Sequence, residues 1–261
     1  METKNEINTS PVALVCGATA GIGFAIAAAL LREDARRMVI VGRDPARGAT
    51  ARERLAAAFP AADIRFEAAD VSRPEAAVGV VDACVAAFGR IDTLVSLAAG
   101  DPMPKLLHET PIEAVPEIIR SVTSGILLPL RAALPRMMAQ GSGSMTCIAS
   151  DAAKLATPGE CAIGGAMAAV AMFCRTLAIE ARRCGIRVNC VTPSIVQATP
   201  LYAKIMADPF ASRLFSKAEA RAGLGVVQPD DLADLVAFLA SPAAARITGQ
   251  TISVNGGISA A

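Results

Sequence analysis

The sequence predicts an α/β domain, a single doubly wound parallel sheet of seven strands with helices on both faces. Three observations predict it. Short Val- and Ile-rich runs alternate with longer stretches of helical periodicity along the chain. A glycine cluster, Gly17, Gly21 and Gly23, stands where the first run gives way to the first helix. No internal repeat or linker breaks the alternation, so 261 residues, 53% of them apolar, suit one domain around one large core.

Taken in order, residues 1–10 form a polar tail, neither a signal nor a transit peptide, and the domain occupies 11–261. The apolar runs 11–16, 38–41, 64–68, 93–97, 145–149, 187–191 and 251–254 read as strands. Helices are expected over 24–31, 46–58, 75–88, 115–140, 161–184 and 230–239. In the long helix 115–140, Pro116 falls in the first turn, where a missing N–H costs little, whereas Pro129 and Pro135 interrupt the interior and call for bends. Residues 197–227 are the one long, weakly patterned section, read as a substrate lid. They follow strand six, on the side where an open parallel sheet keeps its ligand crevice.

Composition excludes several functions. A net charge of +1 gives no nucleic-acid or anionic-membrane footprint, and 3% aromatic residues argue against a base-stacking platform. Seven Cys are scattered without a CxxC pair and His108 is the only imidazole, so no metal site is expected. Most of these Cys lie in apolar runs and read as small core side chains in a reducing, cytoplasmic setting. The apolar run 161–174 is too short to span a bilayer and fits a buried helix.

Glycines in Gly17-Ala18-Thr19-Ala20-Gly21-Ile22-Gly23, between a strand and a helix, let the backbone approach a pyrophosphate at a helix N-terminus. A tight turn for helix–sheet packing is the plainer alternative. With Cys16 in place of Thr, the stretch resembles the Thr-Gly-x-x-x-Gly-Ile-Gly of the classical short-chain dehydrogenase/reductase family. That lost hydroxyl is worth roughly 0.5–1.5 kcal/mol. The resemblance covers nearly the whole chain. Arg187-Val188-Asn189, Thr192-Pro193 (with Ser194 for the usual Gly), Ile247-Thr248-Gly249 and Val254-Asn255-Gly256-Gly257 carry it further.

The resemblance implies a Rossmann domain with Gly17, Gly21, Ile22 and Gly23 at the pyrophosphate of NAD or NADP and Asp70 at the adenine. Asp70 also reads as a helix N-terminal acid before Val71-Ser72. Arg43, after strand two, favours the 2′-phosphate of NADP if a dinucleotide binds here, and is otherwise a surface cation. Where the family has Asn-Asn-Ala-Gly after strand four, this chain reads Ser96-Leu97-Ala98-Ala99, with Gly100 next.

The family's catalytic residues are a Ser, a Tyr about thirteen residues later, a Lys four beyond, and an Asn three before a Gly on the preceding long helix. Ser150 keeps the first position. The Tyr, Lys and Asn positions hold Ile163, Met167 and Val122. All three changes run from polar to apolar, which preserves packing and removes chemistry. No new acid or base is expected in the motif. General acid–base catalysis is worth about 10²–10⁴-fold, so hydride transfer by this chain alone is expected to fail. Tyr202, the only Tyr, reads as a lid packing residue, and His108 as a loop residue; Asp151 and Lys154 read as solvated loop charges.

The helix beginning at Cys161 is rich in small residues, which admit a close neighbour, whether a partner helix or the chain's own sheet. In the family this helix and the preceding long one form the subunit interface. The leading reading is therefore a non-catalytic subunit of a hetero-oligomeric dehydrogenase, paired with an intact paralogue, expectedly as a heterotetramer. The chain resembles the incomplete subunit of two-subunit enzymes that oxidise a hydroxyacyl-CoA such as 2-[hydroxy(phenyl)methyl]succinyl-CoA in anaerobic toluene degradation. Such enzymes use NAD, bound by the partner if this chain binds none. The tail 258–261 follows the last strand and could reach across such an interface. Two readings of other classes stay open: a redox-neutral isomerase, dehydratase or cyclase, and a nucleotide-sensing binding protein.

Overall fold

The computed structural model describes residues 10–33 and 35–260; the tail expected over 1–10 lies almost wholly outside them. The strands are β1 (Val12–Cys16), β2 (Arg37–Gly42), β3 (Asp63–Ala68), β4 (Thr93–Ser96), β5 (Gly143–Ile148), β6 (Ile186–Pro193) and β7 (Thr251–Val254). They form one parallel sheet in the order β3-β2-β1-β4-β5-β6-β7, the doubly wound Rossmann arrangement. Each matches an expected strand to within two residues at either end.

The helices are α1 (Gly21–Arg32), α2 (Pro45–Ala58), α3 (Pro74–Phe88), α4 (Ala114–Gln140), α5 (Cys161–Ala181), α6 (Pro200–Ala207), α7 (Pro209–Glu219) and α8 (Pro229–Ala240). The alternation of side chains along β1 shows how they are layered. Val12, Leu14 and Cys16 join a core with α3, α4 and α5, while Ala13 and Val15 join a second core with α1, α2 and α8. Both sheet faces are covered, which explains the continuous apolar strands. At 27 and 24 residues, α4 and the stretch Cys161–Cys184 have the length and composition to cross a membrane. Here their apolar stripes bury against the sheet.

Two helices in the 197–227 section were not expected. Thr199 caps α6, its hydroxyl accepting from the Tyr202 N–H at 3.0 Å. Asp208 caps α7, accepting from Phe210 and Ala211 at 3.0 and 2.8 Å. Each cap is followed by a proline at the first helical position, where its fixed φ suits the helix. A bridge between Val196 and Val227 ties the base of the section, and Ala198 there holds φ +55°, unusual for a residue with a Cβ.

Candidate active site

The sheet changes direction between β1 and β4, and a cavity of about 450 Å³ opens above the C-terminal ends of the strands there. Its nucleotide end is made by the turn after β1. Gly17 holds φ +100°, and a Cβ on Gly23 would stand 2.1 Å from the Gly17 carbonyl oxygen, so α1 seats against the turn only without a side chain. Gly17 and Ala18 donate to Val41 O at 2.9 and 3.2 Å, fixing the turn to β2. No side chain caps α1 at Ala20, which leaves its first N–H groups for a ligand. Gly21 and Ile22 line the same end. Cys16 is fully buried beneath it, and burial pushes its thiol up to about 12.

At the end of β2, Arg43 and Arg47 both line the cavity and both are exposed. Arg47 comes within 3.8 Å of Asp44, whose carboxylate caps α2 by accepting from Ala46 and Arg47 N–H groups at 3.0 and 3.1 Å. Asp70 lines the cavity and, in the turn before α3, accepts from the Ser72 hydroxyl at 2.7 Å and Ser72 N–H at 3.2 Å. That hydroxyl holds its carboxyl below the usual range.

At the chemical end Ser150, Val122, Ile163 and Met167 all line one cavity. Val122 is fully buried and Ile163 is 9% exposed. The Ser150 Oγ accepts from Ala152 N–H at 3.2 Å, capping a short 3₁₀ turn over Asp151–Ala153. The brace after β4 has changed hands. The buried Ser96 hydroxyl lies 2.8 Å from Ile126 O and 3.3 Å from Gly125 O, tying β4 to α4.

The expectation of solvated charges after strand five is corrected. Asp151 and Lys154 are not solvated: their side chains are 5% and 14% exposed, 3.5 Å apart. Lys154 also donates to Ser253, and Asp151 accepts from Ser253 at 3.0 Å and Asn255 at 2.5 Å. The pair therefore fastens the β5 end to β7 and stays out of the cavity lining. Ser259 bonds Asn255 and Asp151, so the tail is held by its own chain as far as that residue. Tyr202 does line the cavity, but its hydroxyl donates to Glu219 at 3.0 Å. His108 is 77% exposed beside Glu109 and does not line the cavity. No other phenol and ammonium pair therefore stands in for the missing Tyr and Lys among the described residues.

The motif does contain an acid in the cavity. Glu160, 9% exposed, lines it one helical turn before Ile163, and burial pushes its carboxyl up to about 6. In the sequence it stands between Gly159 and the apolar helix, where an acid reads as an ordinary helix-start residue. Arg47 was legible only as the next cation after Arg43 on a charged helix.

A family model described as Enoyl-(Acyl carrier protein) reductase matches residues 17–259. The cis-4-hydroxycyclohexanecarboxylate dehydrogenase of Sinomonas cyclohexanicum is 35% identical over 253 residues, covering 95% of this chain and 96% of that protein. A short-chain type dehydrogenase/reductase from Mycobacterium ulcerans superposes with a TM-score of 0.87 at 30% identity, over 95% of this chain and 89% of that one. The chain belongs to the short-chain dehydrogenase/reductase family. Another of its short-chain dehydrogenase/reductase relatives is an NADPH-bound short-chain oxidoreductase from Pseudomonas aeruginosa PAO1, described as containing an atypical catalytic center. It has a TM-score of 0.85 and 29% identity, over 95% of this chain and 96% of that one.

Proposed function

We propose that this chain is a short-chain dehydrogenase/reductase subunit silent in Tyr-dependent hydride transfer, working beside an intact paralogue. One observation carries the reading: Val122, Ile163 and Met167 line one cavity with Ser150 as apolar side chains. A ketone oxygen there could accept from Ser150, but no group at the Tyr position could deliver or remove its proton.

The residues fit the phosphate half of a dinucleotide. Gly17, Gly21, Ile22 and Gly23 would hold the pyrophosphate, since the turn is one that a Cβ would fill. Asp70 would meet the adenine, and Arg43 with Arg47 the 2′-phosphate, which favours NADP over NAD in this chain. Such a dinucleotide supplies hydride chemistry when bound. At the nicotinamide half Met167 supplies bulk without the cation that would hold the ribose.

The active complex, on this reading, is a cytoplasmic heterotetramer whose intact paralogue binds NAD and oxidises a hydroxyacyl-CoA such as 2-[hydroxy(phenyl)methyl]succinyl-CoA. Exposed Met172 and Ile179, 57% and 58% accessible on α5, suit the shared helix face. A second reading, a redox-neutral isomerase, dehydratase or cyclase, is favoured by Glu160 in the cavity.

Coexpression with candidate intact paralogues tests the proposal. A complex of fixed stoichiometry is expected. Failure to copurify with any paralogue, together with proton-transfer turnover by the chain alone, would favour the second reading. Tight NADP binding without a partner or turnover would favour a nucleotide sensor.

A further inference from the structure

The chemical half of the cavity has an unusual charge balance. Its walls are Met103, Val122, Ile163, Met167, Ile195 and Phe215, with Glu160 buried among the lining residues. The lining cations, Arg43 and Arg47, belong to the nucleotide end. Among the described residues no ion pair includes Glu160. The Thr157 hydroxyl, which donates to Leu155 O at 3.3 Å, favours the ionised carboxylate, and α5 begins there, whose N-terminal partial charge favours an anion. Burial nevertheless outweighs both. An ionised carboxylate in apolar surroundings is costly until a cation joins it.

The other charged and titratable groups on neighbouring elements are already engaged or exposed. Asp101 pairs with Lys204 at 3.1 Å, and Tyr202 with Glu219 at 3.0 Å. Lys105 and Cys161 are exposed, and on α7 the Arg213 Nε donates to Pro209 O at 3.0 Å. None of them is a cation committed to Glu160.

We propose that Glu160 makes this cavity a binding site for a compact aliphatic ammonium ligand, whose cation it pairs with while the ring or chain packs on the apolar walls. The same charge would repel a ligand carboxylate. The inference goes beyond the silent-subunit reading and does not depend on it, because it concerns binding by this chain alone. A succinyl-type acid would bind in the paralogue's pocket, not here.

The test is calorimetric titration of the full chain with three probes sharing one ring: cyclohexylamine, cyclohexanol and cyclohexanecarboxylate. The amine is expected to bind tightest and the carboxylate weakest. Amine affinity should fall about tenfold per pH unit once the pH drops below the carboxyl's titration near 6. Glu160→Gln should weaken the amine about tenfold or more and flatten the pH dependence, while leaving the alcohol little changed. Equal or tighter binding of the alcohol or the carboxylate, a flat pH profile in the native chain, or no amine binding at millimolar concentration would overturn the proposal. The probe ranking and the pH profile need only the native chain, so they decide the matter even if the variant misfolds.

Discussion

The Ser96 hydroxyl lies 3.3 Å from the carbonyl oxygen of Gly125, four residues before Pro129 in the middle of α4. Pro129 has no N–H to offer that carbonyl, so a side chain from β4 reaches it instead. The hydroxyl's one proton is shared with Ile126 O, the nearer acceptor at 2.8 Å, so the neighbouring strand covers the vacant acceptor in part. Ser96→Ala should destabilise the chain by about 1–3 kcal/mol, since the carbonyl is buried. Pro129→Ala would restore a backbone donor, and in that background the loss should shrink by about 0.5 kcal/mol or more. Denaturant titrations of the two single variants and the double variant measure the coupling; strict additivity would refute the account.

Gly23 touches the turn it follows. An added Cβ at 2.1 Å from Gly17 O meets backbone, which cannot swing aside. Gly23→Ala should therefore cost about 1–3 kcal/mol and lower the melting temperature. Gly165 has nothing within 4 Å of its added Cβ, and Gly165→Ala should leave stability unchanged or slightly raised. Thermal unfolding of both variants checks the contrast.

These cases show what the sequence makes legible. Alternating apolar runs suffice for the sheet, because parallel strands are buried on both faces. The lid helices α6 and α7 lie in the section expected to be weakly patterned, although both carry a cap and a proline, Thr199-Pro200 and Asp208-Pro209. Their apolar faces bury only in a small satellite core around Ile205 and Phe215 and both helices are short, so the caps, and in α7 a clear separation of apolar from polar residues, were the available signals. Asp151 and Lys154 depart from the expected solvated charges for a different reason. Their partners Ser253 and Asn255 lie about a hundred residues away, and local spacing cannot announce such a contact.

Glu160 ties stability to pH. Its carboxyl moves from 4.5 to about 6 on folding, mainly through burial. Between those values the folded chain keeps a proton that the unfolded chain has released. The group's contribution is therefore most favourable below 4.5 and is lost as pH rises through about 6. Glu160→Gln should gain stability relative to the native chain at about pH 8, by about 2 kcal/mol at most, and lose that gain below 4.5. Chemical denaturation of both proteins across this range measures the difference; a constant offset would contradict it.

Arg43 and Arg47 offer two exposed guanidinium groups at the end of β2. Replacing both with Ala should weaken NADPH by about tenfold and leave NADH nearly unchanged, narrowing any preference between them. Calorimetric titration with each dinucleotide reads it directly, and equal losses for both would place the arginines away from the 2′-phosphate.

The central claim is that apolar side chains at Ile163 and Met167 leave this chain without the Tyr proton donor and its Lys partner for hydride transfer. The most direct measurement is nicotinamide absorbance during incubation of the purified chain with NADP or NAD and a panel of secondary alcohols, alone and then with an intact paralogue. The account predicts no turnover by the chain alone and turnover once the paralogue is added. Steady turnover by the isolated chain would contradict it.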